Sequence, residues 1–204
     1  MGRPATVKAG EDGGPESVRD RILGTARDLF YREGARAVGV DMVVAQSGVA
    51  KTSLYRWFPS KDALIAAVLE QEAKDRWVGW DYNLGRSGPT PREKLLGQFQ
   101  GIARFVSSSK YRGCPFRNIT VEFPDPDHPA RKIATEVQFE LQRRLRGLVD
   151  QMEGVRDPAM LTDQLVLLVD GVFSVAQCMG PDGPQKFVMA SADALIDSHL
   201  QKAG

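Results

Sequence analysis

The stretch Gly48-Val-Ala-Lys51-Thr-Ser-Leu54-Tyr-Arg56-Trp-Phe58-Pro-Ser-Lys61-Asp-Ala-Leu64 decides the fold. It reads as a turn, a short helix, a break at Pro59 and the start of a longer helix. Gly48 takes a left-handed conformation at low cost, which ends one helix and opens a tight turn to the next. Leu54 and Phe58 stand four apart and face one core. Lys51, Thr52, Ser53, Tyr55, Arg56 and Trp57 occupy the remaining arc, which holds hydroxyls, aromatics and two cations but no carboxylate. Ser60 caps the following helix and puts Lys61 in its first turn. A cation there opposes the helix dipole unless an anion shares the site, as a DNA phosphate would. The spacing predicts a helix-turn-helix whose recognition helix aims its N-terminal end at base edges. The plainer alternative is a surface helix with a solvated charged face.

The run from Ser47 to Leu64, with Asp20–Phe30 and Gly34 before it, resembles the DNA-binding signature of TetR-family transcriptional regulators. The resemblance covers roughly residues 17–66. It implies an all-α fold, with a three-helix DNA-binding head on a larger helical body that binds an effector and forms a homodimer. It further implies a repressor released from a palindromic operator in double-stranded DNA by a small apolar effector. Carried over position by position, Lys51, Thr52, Ser53 and Arg56 are base-reading candidates, and Tyr55, Trp57 and Lys61 phosphate-contact candidates. Arg56 is the foremost reader of guanine, because its fork bonds two acceptors at once. One departure stands out. The family places Ser or Thr before its second helix, where this chain has Val38 and Gly39. A side-chain cap worth about 1 kcal/mol is therefore missing, and with it a phosphate contact. Asp41, in the first turn of that helix, suits the dipole but repels a nearby phosphate.

The net charge of +1 announces no nucleic-acid partner, so a local basic face must carry that reading. Two cysteines, Cys114 and Cys178, make no disulfide framework, and a cytoplasmic setting is the default expectation. No apolar run resembles a signal peptide or approaches the roughly 20 residues of a membrane span, so no membrane partner is expected.

Along the chain, residues 1–15 read as a disordered arm, with Gly2-Arg3-Pro4 either a minor-groove contact or a plain tail. The head is expected over residues 16–66, linked by a helix to about residue 80. Its helices are predicted at Glu16–Glu33, Val40–Ser47 and the stretch quoted above. The linking helix is predicted from Ser60 to Trp77. Asn83–Pro91, with two Gly and two Pro, is the expected boundary loop, and residues 81–204 the effector-binding and dimerisation domain. Body helices are predicted from Pro91, over Cys114–Phe123, Ala130–Met152, Pro158–Met179 and Pro184–Lys202. Apolar residues spread widely on the Pro158 helix, and Ala190 and Ala194 stand four apart on the last one. That suits packing on two sides, within the subunit and against a second copy. A one-sided core pair in a monomer is the alternative.

Phe99, Phe105, Phe116, Phe139 and Phe173 supply aromatics on several helices, and Gly97 and Gly101 permit close helix contact or make room for a ligand. Aromatics at helical spacing commonly just fill a core; the family resemblance points instead to an apolar effector pocket near them. Cys114 stands at its edge, after Lys110 and Arg112, as either a small buried hydrophobe or a thiol open to electrophiles. Asp125, Asp127 and His128 would suit a hard metal, yet each adjoins a proline in a breaking loop, so turn and cap roles are expected and no metal or cofactor. Phosphate-loop, nucleophile-elbow, zinc and EF-hand motifs are absent from the sequence. Cys114 and His128 lack an orienting third group, so an enzyme is not expected. A helical enzyme or a protein-interaction module that never touches DNA are the rival readings, and salt-dependent DNA binding separates both from a regulator.

Overall fold

The computed structural model describes residues 17–200, so the expected N-terminal arm lies outside the described residues. The helices are α1 (Val18–Glu33), α2 (Val40–Ser47), α3 (Lys51–Trp57), α4 (Lys61–Arg86), α5 (Pro91–Val106), α6 (Pro115–Glu122), α7 (Pro129–Val149), α8 (Pro158–Met179) and α9 (Val188–His199). A 3₁₀ turn at Pro184–Phe187 leads into α9. The fold is all-α. Among the described residues the sole β element is an isolated antiparallel bridge between Val155 and Leu200. The described residues divide into two compact units: one holds residues 17–75 and Cys114–Val137, the other Arg76–Gly113 and residues 138–200.

In the first unit, Ser17 caps α1 by accepting the Asp20 N–H at 3.1 Å, and its hydroxyl returns a bond to the Asp20 carboxylate. Ile22, Ala26, Leu29 and Phe30 form the buried stripe of α1. Gly34, at φ 91°, ends it. Helix α2 starts at Gly39 with no side-chain cap, as the missing Ser or Thr foretells, and buries Val43 fully but Val40 and Val44 only in part. Gly48, at φ 65°, closes it in the left-handed conformation and returns its N–H to the Val44 carbonyl at 3.1 Å. Leu54 and Phe58 are buried at 0% and 3% exposure. Burial of each such side chain stabilises by about 1.5–3 kcal/mol, and together they seat α3 on α1 and α2. Ser60 then caps α4, accepting the Ala63 N–H at 3.0 Å.

Cys114–Val137 belongs to this unit, although the sequence suggested the body for it. Long-range bonds explain the difference. Glu122, at the end of α6, accepts the Arg36 N–H at 2.6 Å, and His128 stacks on Phe123 and lies 3.5 Å from Asp62 of α4. The loop itself is a turn and a cap: Asp125 accepts the Asp127 N–H, and His128 Nδ1 accepts the Ala130 N–H in the first turn of α7.

In the second unit, α5 opens with a capping box between Thr90 and Glu93, which holds the Glu93 carboxyl below its ordinary pKa through bonds from the Thr90 hydroxyl and amide. Helix α5 packs on α8 and α9, and α8 on α9. Leu95, Phe99, Leu145, Leu161, Leu165 and Ile196 are fully buried. Arg92 anchors α9 by pairing with Asp193 and Asp197, both at 2.6 Å.

The C-terminal ends of α4 and α9 differ from expectation. Helix α4 runs through Asn83 and Gly85 to Arg86, shortening the boundary loop to residues 87–90. The helix persists because Asn83 lies against Gly101 and accepts a bond from Arg104, while its carbonyl takes the Ser87 hydroxyl at 2.7 Å. A Cβ at Gly101 would collide with the Asn83 side chain, and one at Gly97 with the Ser87 hydroxyl. Those glycines therefore serve close approach rather than ligand space. Finally, α9 ends at His199, where Leu200 turns to bridge Val155.

Candidate nucleic-acid interface

Seating Leu54 and Phe58 inward sets which side chains of α3 face out. Lys51, Thr52, Tyr55, Arg56 and Trp57 are exposed and Ser53 half-buried. Tyr55 and Trp57 keep 42% and 46% of their surface open, which no core requires. Among the described residues α3 carries Lys51 and Arg56 and no carboxylate, so its outer face is cationic and rich in donors. The structure brings all seven predicted residues together on α3 and the first turn of α4.

Two of the cations are already engaged. Lys51 Nζ pairs with the Asp41 carboxylate at 2.7 Å across the α2–α3 turn. The hydrogen bond that Lys51 donates to Asp41, followed by the charge of that carboxylate, raises the Lys51 ammonium above its ordinary pKa. Lys61 Nζ donates to the Arg36 carbonyl at 2.9 Å, which ties the first turn of α4 to the α1–α2 turn. An ammonium has three donors, so two remain to Lys61 for an anion. Sequence reasoning missed Arg36. Its signal was a lone cation in an inter-helix turn, too weak to single out without its contacts.

Beneath this surface, Arg27 of α1 bonds Glu72 at 2.5 Å and Asp75 at 2.7 Å on α4. Burial opposes the guanidinium's charge, but the bonds and charges of Glu72 and Asp75 outweigh it and raise its pKa. A cavity of about 30 Å³ lies beside this triad, lined by Phe30, Ile65, Leu69 and Ile119 among others. That is room for water rather than for a small organic molecule.

The residues expected around an effector belong to both units. Phe105 meets Phe173 edge-on at 6.3 Å and Tyr111 at 5.5 Å, while the Tyr111 hydroxyl donates to the Phe173 carbonyl at 2.8 Å. Phe99 is buried in the core of the same unit. Cys114, buried at the N-cap position of α6, and Phe116 belong to the unit of α1–α3. Phe139 is 67% exposed and lines no interior, which corrects its assignment. It lies off the Val137–Leu141–Leu145 stripe that α7 buries.

Residues 22–68 match the family model described as bacterial regulatory proteins, tetR family. The chain is similar to the HTH-type transcriptional regulator YjdC of Escherichia coli K12, with 27% identity over 156 residues, covering 76% of this chain and 81% of the relative. It is 38% identical over 68 residues to the HTH-type transcriptional repressor Rv3405c of Mycobacterium tuberculosis, covering 33% of this chain and 36% of the relative. Among solved structures it is similar to SCO4454, a TetR-family transcriptional regulator from Streptomyces coelicolor. That likeness has a TM-score of 0.85 and 28% identity, and it covers 90% of each chain.

Proposed function

We propose, for a chain that is a DNA-binding transcriptional regulator of the TetR family, that it acts as a cytoplasmic homodimeric repressor freed from a palindromic operator by a small apolar effector. The outer face of α3 carries this reading: exposed cations, hydroxyls and aromatics on a helix seated by Leu54 and Phe58 behind the Gly48 turn. Arg56, Lys51, Thr52 and Ser53 read base edges, while Tyr55, Trp57 and Lys61 hold phosphates. Two copies place two recognition helices on half-sites about 34–36 Å apart, one turn of DNA.

The dimer reading rests on α8 and α9. In the single chain, Met160 and Leu167 on α8 are 52% and 70% exposed, and Phe187 ahead of α9 is 59% exposed. Gly171, Ala190 and Ala194 on the same helices are also exposed, and small side chains allow close helix approach. Helix α8 is long and apolar enough to cross a membrane, but a surface paired with a second copy accounts for that composition.

Residues 16–66 serve as the reading head and residues 81–204, apart from Cys114–Val137 in the unit of the head, as the effector and dimerisation part. The aromatic group of Phe105, Tyr111 and Phe173 is the favoured place for an effector to enter. An effector that prefers a head spacing unlike that of the operator shifts the population off DNA by its differential affinity.

Selection of DNA fragments by the purified full chain tests the proposal. The expected result is a symmetric site with half-sites one helical turn apart and binding that weakens steeply with salt. Recovery of unrelated fragments with salt-independent affinity would overturn it.

A further inference from the structure

We propose that Glu122 is a positioning residue for DNA binding, setting the α1–α2 turn from the end of α6 and, through Arg36, the ammonium of Lys61. The inference rests on the DNA-contact reading of Lys61. Arg36 has both its backbone groups taken by side chains distant in sequence. Its N–H donates to Glu122 Oε2 at 2.6 Å, and its carbonyl accepts from Lys61 Nζ at 2.9 Å. The Arg36 guanidinium also reaches back to the Glu122 carbonyl at 3.4 Å. Gly34, at φ 91°, lets the turn pass close under the carboxylate, since a Cβ there would stand 3.3 Å from Oε2. A charged acceptor on a backbone N–H is among the stronger hydrogen bonds available, so Glu122 pins the peptide that leads to the Lys61 acceptor. Lys61 is thereby aimed before DNA arrives, with two of its three donors left over.

Charge alone predicts the opposite sign for this residue. A carboxylate in the DNA-binding unit repels phosphate, so its removal should tighten binding if it positions nothing. The experiment measures affinity of the full chain for its selected operator by fluorescence anisotropy across a salt series. Glu122→Ala is expected to weaken binding about tenfold and to lower the salt slope by about one, the loss of a single phosphate contact. Glu122→Gln keeps an acceptor for the Arg36 N–H and is expected to stay within about twofold of wild type. In a Lys61→Ala background, Glu122→Ala should cost nothing further. Glu122→Asp, which keeps the charge but shortens the reach, reports the same loss should the alanine variant fail to fold. Alanine or aspartate variants that bind as tightly as wild type, or a loss undiminished in the Lys61→Ala background, overturn the inference. Failure of the wild type to bind DNA at all would instead overturn the DNA-contact reading beneath it.

Discussion

Asp41 lies 2.7 Å from Lys51, so the carboxylate that ought to repel a phosphate is paired with the first cation of the recognition helix. Both side chains are well exposed, at 81% and 53%, and an exposed pair adds little to stability. Its consequence falls on DNA binding. The raised Lys51 pKa places the pair's contribution below the ordinary lysine value, lost only as pH climbs through the raised one, so the pair is intact at neutral pH. Asp41→Asn removes a repulsion and frees Lys51. Operator affinity at low salt is expected to rise about threefold or more, with a steeper salt slope. Titrations at two salt concentrations check this; weaker binding by the variant would mean that Asp41 aims Lys51 instead of competing for it.

Arg56 has no partner among the described residues and stands exposed on α3, while Lys61 is tied to a backbone carbonyl. Arg56→Ala should weaken the operator by roughly 1–3 kcal/mol and relax base choice at one position per half-site. Lys61→Ala should weaken all sequences alike and flatten the salt slope by about one. Repeating the fragment selection with each variant separates the two; unchanged affinity and slope in both would refute this docking of α3.

The Arg27–Glu72–Asp75 triad joins α1 to α4 with side-chain exposures of 16%, 15% and 34%. Arg27→Ala strips the guanidinium from two neighbouring carboxylates and should cost about 2–4 kcal/mol. The double replacement Arg27→Met with Glu72→Leu should recover most of that, because an apolar pair of similar volume escapes the desolvation cost. Denaturant midpoints of the three proteins settle the point. A single variant as stable as wild type would show that the triad is solvated in solution.

Local punctuation made most elements legible in sequence. Helices α2 and α8 fall where Gly39, Gly48, Pro158 and Gly180 place them, because those residues act through their own backbone conformation. The head was legible for the same reason, with Leu54 and Phe58 marking the inward face of α3. What escaped depends on partners far along the chain. Helix α4 outlasts its expected end because of Asn83 and its contacts with α5. The membership of Cys114–Val137 turns on a bond that Glu122 accepts from an amide 86 positions away. Phe139 could have been excluded, since α7's own periodicity already leaves it outside.

Ala194 sits on the exposed side of α9, between Asp193 and Asp197, which Arg92 of α5 holds in place. Because it is open in the single chain, an arginine there should leave the protomer fold intact, with unchanged helical content. Against a second copy the same side chain would be a buried charge without a partner. Ala194→Arg is therefore expected to sediment as a helical monomer at micromolar concentration. Linking two half-site contacts typically multiplies affinity by about 10²–10⁴, so operator binding should fall by a comparable factor, while the weak contact of one head with one half-site survives. Sedimentation velocity and operator titration, run side by side, give both readings. A wild-type chain that already sediments as a monomer, or a variant that stays dimeric and binds normally, would remove α8 and α9 from the interface.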